Sequence, residues 1–95
     1  MPRVILKGYI LVPESDLSAV KLELQKHIEQ TRNEAGCLVF EVFADPLIAG
    51  RFNVYEEFSS KPAFESHQDR VRNSSWGELT VNIERHYEIE EIAEN

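Results

Sequence analysis

The chain has 95 residues, of which 42% are hydrophobic and 9% aromatic, so it is predicted to form one globular domain over residues 1–95 and not a disordered chain. Its net charge of -7 disfavours nucleic acid as a partner, because an acidic surface repels phosphate backbones. Cys37 is the only cysteine, which excludes an internal disulfide and a zinc site built from cysteines.

The first predicted element is a strand over residues 4–12, VILKGYILV, which is rich in β-branched and aromatic residues and precedes Pro13. Its apolar run is interrupted by Lys7, is too short to span a membrane, and lacks a cleavage site of small residues. We therefore expect no membrane association and a cytoplasmic location.

A helix is predicted to follow, because PESD at residues 13–16 has the chemistry of a helix start. Apolar and small residues then recur at steps of three and four, which is the spacing of one helix face, and they are Leu17, Val20, Leu24, Ile28, Thr31 and Ala35. Gly36 is predicted to stop this helix. His27 lies at the edge of the stripe, where we expect a half-exposed side chain.

The remaining chain predicts two strands, a helix and a last strand. Residues 37–45 and 51–58 form the strands, with PLIAG as the hairpin loop. The serines and proline of SSKPAFESHQDRVR predict a second helix, which is broken at residues 73–75. WGELTVNI predicts at most a short helical turn, and ERHYEIEEI predicts the final strand.

The predicted element order is β-α-β-β-α-β, which indicates an α+β, ferredoxin-like fold with an antiparallel sheet. Helices in this arrangement cover one face of the sheet and leave the other bare. Since the strands read as apolar on both faces, we expect a homodimer in which two sheets stack.

Two stretches, EAGCLVFEVFADP and RFNVYEEFSSKPAFESH, resemble the antibiotic biosynthesis monooxygenase (ABM) domain family. In this family a Gly-Cys-Leu-x-Phe/Tyr-Glu strand precedes an aromatic-Glu strand and a helix with Ala-x-x-x-His. The matching positions here are Gly36, Cys37, Leu38, Phe40, Glu41, Tyr55, Glu56, Ala63 and His67. The resemblance implies a dimeric α+β barrel. It also implies one of several activities, which include cofactor-independent oxygenation of quinols or anthrones, haem degradation and isomerisation of a phosphorylated signalling sugar.

Departures from the family pattern narrow these activities. The first strand lacks the Asn of haem-degrading members, and His67 stands at about the position of their Trp. Quinol-oxidising and isomerase members often carry a second His about five residues after the first, where this chain has Arg72. Haem degradation and a two-histidine mechanism are therefore not carried over.

His67 is the candidate catalytic residue, because helical spacing places it in the middle of the apolar stripe of the second helix, facing the sheet. A histidine there is either a hydrogen-bonded core residue or, beside a cavity, a base for a phenolic substrate. Glu56 lies among apolar neighbours, and Arg51, Arg70, Arg72 or Arg85 could pair with it. The candidate substrate contacts are Trp76, Phe64, Tyr55, Tyr9 and Asn53.

The sequence thus predicts a cofactor-independent monooxygenase that acts on a small phenolic or quinol substrate in a pocket between helices and sheet. Histidine spacing gives no metal motif and no nucleotide or flavin fingerprint is present, so neither a metal nor a cofactor is expected. Two alternatives stay open, namely an isomerase of a small hydroxyketone and a non-catalytic, ligand-binding dimer related to stress.

Overall fold

The computed structural model describes residues 2–93 and contains one four-stranded sheet with helices on one of its faces. The strands are β1 (Arg3–Leu11), β2 (Cys37–Ala44), β3 (Arg51–Phe58) and β4 (Glu84–Ile92). The helices are α1 (Leu17–Arg32), α2 (Lys61–Arg72) and the short α3 (Ser75–Leu79), and a single 3-10 turn (Glu14–Asp16) precedes α1.

The strands are all antiparallel and lie in the order β2-β3-β1-β4, which is the ferredoxin-like βαββαβ arrangement. The predicted fold class is therefore confirmed. The residue alternation of β3 is the clearest, since Phe52, Val54, Glu56 and Phe58 are buried against the helices while the residues between them are partly exposed.

α1 ends earlier than predicted. Its last residue is Arg32, and Asn33 closes the final turn by donating its backbone N–H to Glu29 and Thr31. Ala35, predicted as part of the helical stripe, is therefore outside the helix and exposed. Gly36 has a φ of 89°, a conformation that favours glycine, and turns the chain into β2.

The core lies between the helices and the covered face of the sheet, in two adjoining clusters. One cluster centres on Val20 and Leu24 of α1 against Ile10 and Phe52, and the other places Phe64 of α2 on Phe58. Phe58 is fully buried, so its side chain anchors α2 to the centre of the sheet.

The bare face of the sheet is more polar than predicted. β1 presents Ile5, Lys7, Tyr9 and Leu11 there, which is largely apolar as expected. The expectation that every strand is apolar on both faces is wrong for β3, whose bare side carries hydrogen-bonded polar groups that include Tyr55 donating to Glu57 at 2.7 Å. It is also wrong for β4, a strand rich in glutamate and almost entirely exposed. Within residues 2–93, no helix is long and apolar enough to cross a membrane.

Candidate active site

A cavity of about 290 Å³ lies between α2, α3 and the covered face of the sheet. The β1 residues on its floor are Leu6 and Ile10, and the position between them on that face is Gly8, which contributes no side chain. The polar residues that line it are His27, Glu56, His67, Gln68, Arg72, Thr80, Arg85 and Tyr87. The apolar lining comes from Leu6, Ile10, Val71, Trp76 and Val81.

His67 lies on the buried side of α2, as its helical position predicts, and only 2% of its surface is exposed. The helix begins at Ser60, whose hydroxyl accepts a hydrogen bond from the Ala63 backbone at 3.2 Å. From there the imidazole packs on Phe58, with 4.8 Å between ring centroids. Its position at the inner end of the cavity is therefore fixed by helix capping and aromatic packing.

Glu34 orients the imidazole of His67. Its carboxylate lies in the loop between α1 and β2, with Oε1 2.7 Å from Nδ1 of His67 and 3.0 Å from Nη2 of Arg70. Burial acts to raise the pKa of Glu34, but the hydrogen bonds with Arg70 and His67 outweigh burial and lower the pKa. Because an ionised carboxylate can only accept, Nδ1 carries the proton and Nε2 is left as an acceptor.

The pKa of His67 is lowered, mainly because burial disfavours the charged imidazole, although the contact with Glu34 acts in the opposite direction. The resting imidazole is therefore neutral. A neutral histidine with an oriented Nε2 at a cavity is a competent general base.

Glu56 is the second titratable group beside His67. Its Oε1 lies 3.7 Å from Nε2 of His67, too far for a hydrogen bond, and is buried without a hydrogen-bond partner. Burial, reinforced by the negative charge of Glu34, raises the pKa of Glu56 to about 8. The predicted ion pair with an arginine does not form within residues 2–93, where the titratable side chain nearest to Glu56 is the neutral imidazole of His67. Burial leaves the carboxyl of Glu56 neutral, which is the physical reason that no ion pair with an arginine forms.

The prediction that His27 is half-exposed is wrong, because only 5% of its surface is exposed. Its ring stacks on the indole of Trp76, with centroids 4.8 Å apart and an interplanar angle of 7°. Burial, with repulsion from the charged form of His67, lowers the pKa of His27 to about 3, so this second imidazole of the cavity is also neutral. α3 positions Trp76, and Ser74 caps that helix by accepting from the Gly77 backbone at 3.1 Å.

Four predicted substrate contacts lie outside this cavity. Tyr9, Asn53 and Tyr55 project from the bare face of the sheet, since alternation along β1 and β3 turns them away from the helices. Tyr9 stacks there on His86 at 4.8 Å. Phe64 is on the covered face but packs against Phe58 and does not line the cavity. Of the six candidate site residues, His67 and Trp76 are the two that line the cavity.

Sequence reasoning missed Glu34 and His27 as site residues. Glu34 stands two residues before Gly36, in the stretch that carries the family resemblance, and this position is a usable signal. His27 offers a weaker one, a histidine four residues before Thr31 on the same helix face. Within residues 2–93, no group of three or more His, Cys, Asp or Glu side chains is arranged to hold a metal ion.

Solved structures with the same fold are numerous, and three illustrate the similarity. A proposed antibiotic biosynthesis monooxygenase of Nitrosomonas europaea is 18% identical, with a TM-score of 0.82 over 94% of this chain and 88% of that one. A proposed member from Deinococcus radiodurans is 20% identical, with a TM-score of 0.76 over 97% and 94% of the two chains. A protein of Shewanella oneidensis is 23% identical, with a TM-score of 0.75 over 97% and 94%.

At these identities the structural matches establish the fold alone. A comparison with curated proteins found no match. The sequence profile of the family described as antibiotic biosynthesis monooxygenase matches residues 3–72, which is most of the chain and includes Glu34, Glu56 and His67. The chain therefore belongs to the antibiotic biosynthesis monooxygenase (ABM) family.

Proposed function

We propose that the protein is a cofactor-independent monooxygenase that oxidises a small phenolic or quinol substrate in the cavity between helices and sheet. The observation that carries this proposal is the oriented imidazole of His67, whose Nδ1 is held by Glu34 at 2.7 Å while the residue lines the cavity. Family membership supports the reaction type, and the cavity supports a small substrate.

The chemistry asked of the protein is removal of one proton and stabilisation of the resulting anion. Nε2 of His67 accepts the phenolic proton, and the carboxylate of Glu34 stabilises the imidazolium that forms. The stacked rings of Trp76 and His27 offer a flat wall for an aromatic substrate. Once deprotonated, an electron-rich substrate reduces dioxygen itself, so the protein needs only to bind, orient and deprotonate it.

The test is oxygen uptake with reduced menadione, comparing the wild-type protein with His67→Gln. General-base catalysis typically contributes about 10²–10⁴-fold, so we expect a loss of that order. Glu65→Gln is the control, because Glu65 is exposed on the same helix as His67 and does not line the cavity. An unchanged rate in His67→Gln would refute the general-base role.

One observation favours the isomerase alternative enough to keep it as a second candidate. Arg72 and Arg85 both line the cavity, and a phosphorylated hydroxyketone requires basic residues of this kind. In that reaction His67 would move a proton between carbon and oxygen. Exchange of the substrate's α-proton for deuterium in D₂O, without oxygen uptake, would favour the isomerase. Binding without turnover of either substrate would favour a ligand-binding protein.

We also propose that two copies associate through the bare face of the sheet. Ile5, Tyr9 and Leu11 lie there on β1, with Lys7 between Ile5 and Tyr9, and the helices cover only the opposite face. Light scattering after size exclusion at micromolar concentration should give about 22 kDa, twice the chain mass of 11.0 kDa. Tyr9→Glu should shift the mass to that of one chain, and a wild-type monomer would overturn the proposal.

A further inference from the structure

The charge of the cavity lining is positive, although the net charge of the molecule is negative. The chain carries a net charge of -7, yet the formally charged residues that line the cavity are Glu56, Arg72 and Arg85. Glu56 is buried beside His67 and its pKa is raised to about 8, so it is uncharged at neutral pH. The histidines of the cavity are neutral too, since the pKa values of His27 and His67 are lowered by burial.

The two arginines differ in their partners. The guanidinium of Arg72 forms an ion pair with Asp69 of the same helix, and both side chains are largely exposed. Arg85 donates from Nη2 to the backbone carbonyl of Thr80, at the end of α3. Within residues 2–93, no carboxylate forms an ion pair with Arg85. Arg85 therefore brings an uncompensated positive charge to the cavity.

The geometry of Arg85 suits an anionic group of a ligand. Arg85 is on β4, opposite Ile10 of β1, and is exposed, so it stands where the cavity opens to solvent. A guanidinium has five N–H donors, and the bond to Thr80 holds the side chain in place while the other donors remain available. Planar, paired donors of this kind bind carboxylate and phosphate groups with two hydrogen bonds.

We propose that the ligand of the cavity is an aromatic hydroxy compound bearing an anionic substituent, carboxylate or phosphate, and that Arg85 binds that substituent at the cavity opening. The inference rests on the proposed function only for the aromatic hydroxyl that faces His67. Arg85 is then the residue that determines specificity, while proton transfer takes place at the inner end.

Isothermal titration calorimetry under nitrogen tests this inference without any turnover, because no dioxygen is present to oxidise the ligands. The ligands are 1-naphthol, which is neutral, 5-hydroxy-1-naphthoate, and 5-hydroxy-1-naphthyl phosphate; the last two keep a free hydroxyl on one ring and carry the anionic group on the other. We expect the anionic ligands to bind about tenfold or more tightly than 1-naphthol, because hydrogen bonds between charged partners are stronger than those between neutral groups. Trp76 is the only tryptophan, so movement of its single indole N–H signal in an NMR spectrum reports binding at the cavity.

Arg85→Met should remove the preference for the anionic ligands and leave the Kd of 1-naphthol within about twofold of wild type. Lys26→Met is the matched control, since it removes one positive charge from an exposed position of α1 outside the cavity and should preserve the preference. A tighter Kd for the phosphate than for the carboxylate would identify the phosphorylated class, and the reverse order the carboxylated class.

Equal affinity for neutral and anionic ligands, or an equal loss for both in Arg85→Met, would overturn the inference. Both results leave the oxygenase proposal standing, because that proposal is tested by oxygen uptake and by His67→Gln. Absence of binding by all three ligands would overturn the inference as well. If the wild-type protein prefers the anionic ligands but consumes no oxygen with reduced menadione, the proposed reaction is refuted and the inference about Arg85 stands.

Discussion

Replacing Glu56 by Gln should change how the stability of the protein depends on pH. The carboxyl is 6% exposed, and its pKa rises from an ordinary value of 4.5 to about 8 on folding. The native state thus retains a proton that the unfolded chain releases above pH 4.5, so stability falls as pH rises through this window and levels off above pH 8. Gln has nearly the same size and does not titrate, so Glu56→Gln removes this loss.

The size of the effect follows from the two pKa values of the Glu56 carboxyl. A tenfold change in its acidity corresponds to about 1.4 kcal/mol, so a rise in pKa from 4.5 to about 8 gives at most about 5 kcal/mol. Between pH 5 and pH 8 the part of this loss of stability that develops is about 3–4 kcal/mol. We therefore expect the advantage of Glu56→Gln over wild type, in free energy of unfolding, to grow by about 3–4 kcal/mol across that range.

Urea unfolding followed by far-UV circular dichroism at pH 5, 6, 7 and 8 measures this difference. His27 also titrates differently in the two states, but it is present in both proteins and cancels. Glu41→Gln is the control, because Glu41 is exposed on the bare side of the adjacent strand. Parallel stability curves for wild type and Glu56→Gln would show that the Glu56 carboxyl ionises normally, and would refute the charge distribution derived for the cavity.

Three further substitutions test the candidate site and the loop and core residues that support it. Glu34→Gln should slow menadiol oxidation about a hundredfold and lower the pKa of His67 in an NMR titration, and a rate within twofold of wild type would argue against an orienting role. Gly36→Ala should cost about 1–3 kcal/mol in urea unfolding, since φ is 89° and a Cβ would lie 2.6 Å from that of Ala63; an unchanged midpoint contradicts this. Phe58→Ala should cost about 3–5 kcal/mol by the same measurement, and a loss below 1 kcal/mol would show that the core collapses around the gap.

The fold was predictable because most of its signals are local. β3 alternates strictly, the second helix carries Ser and Pro at its start, and the loops are short, so element order alone led to the ferredoxin-like sheet. The end of α1 was not predictable to the residue. Ala35 continues the helical spacing, but the bonds from Asn33 close the helix first, and periodicity carries no information about such a cap.

The site was predictable only where one element determines it. Helical position alone turns His67 toward the sheet, and the structure agrees. Its partner Glu34 is 33 positions away in the chain, and such a pair forms only when the loop before β2 packs on α2. His27 is buried because Trp76 of α3 covers it, which the pattern of α1 cannot reveal. The direction of Tyr55 followed from alternation with Glu56, once the covered face was known.

Under the proposed function, the position of Glu34 links catalysis to the architecture of the fold. One carboxylate joins the first βαβ half of the chain to α2 in the second half, through both His67 and Arg70. A mutation there would disturb the proposed general base, His67, and the contact between the halves together, so selection on either property would act on the same residue. Diversification of substrate range should therefore proceed through the cavity wall, at positions such as Gln68, Val71 and Val81, while the carboxylate and the imidazole change together or not at all.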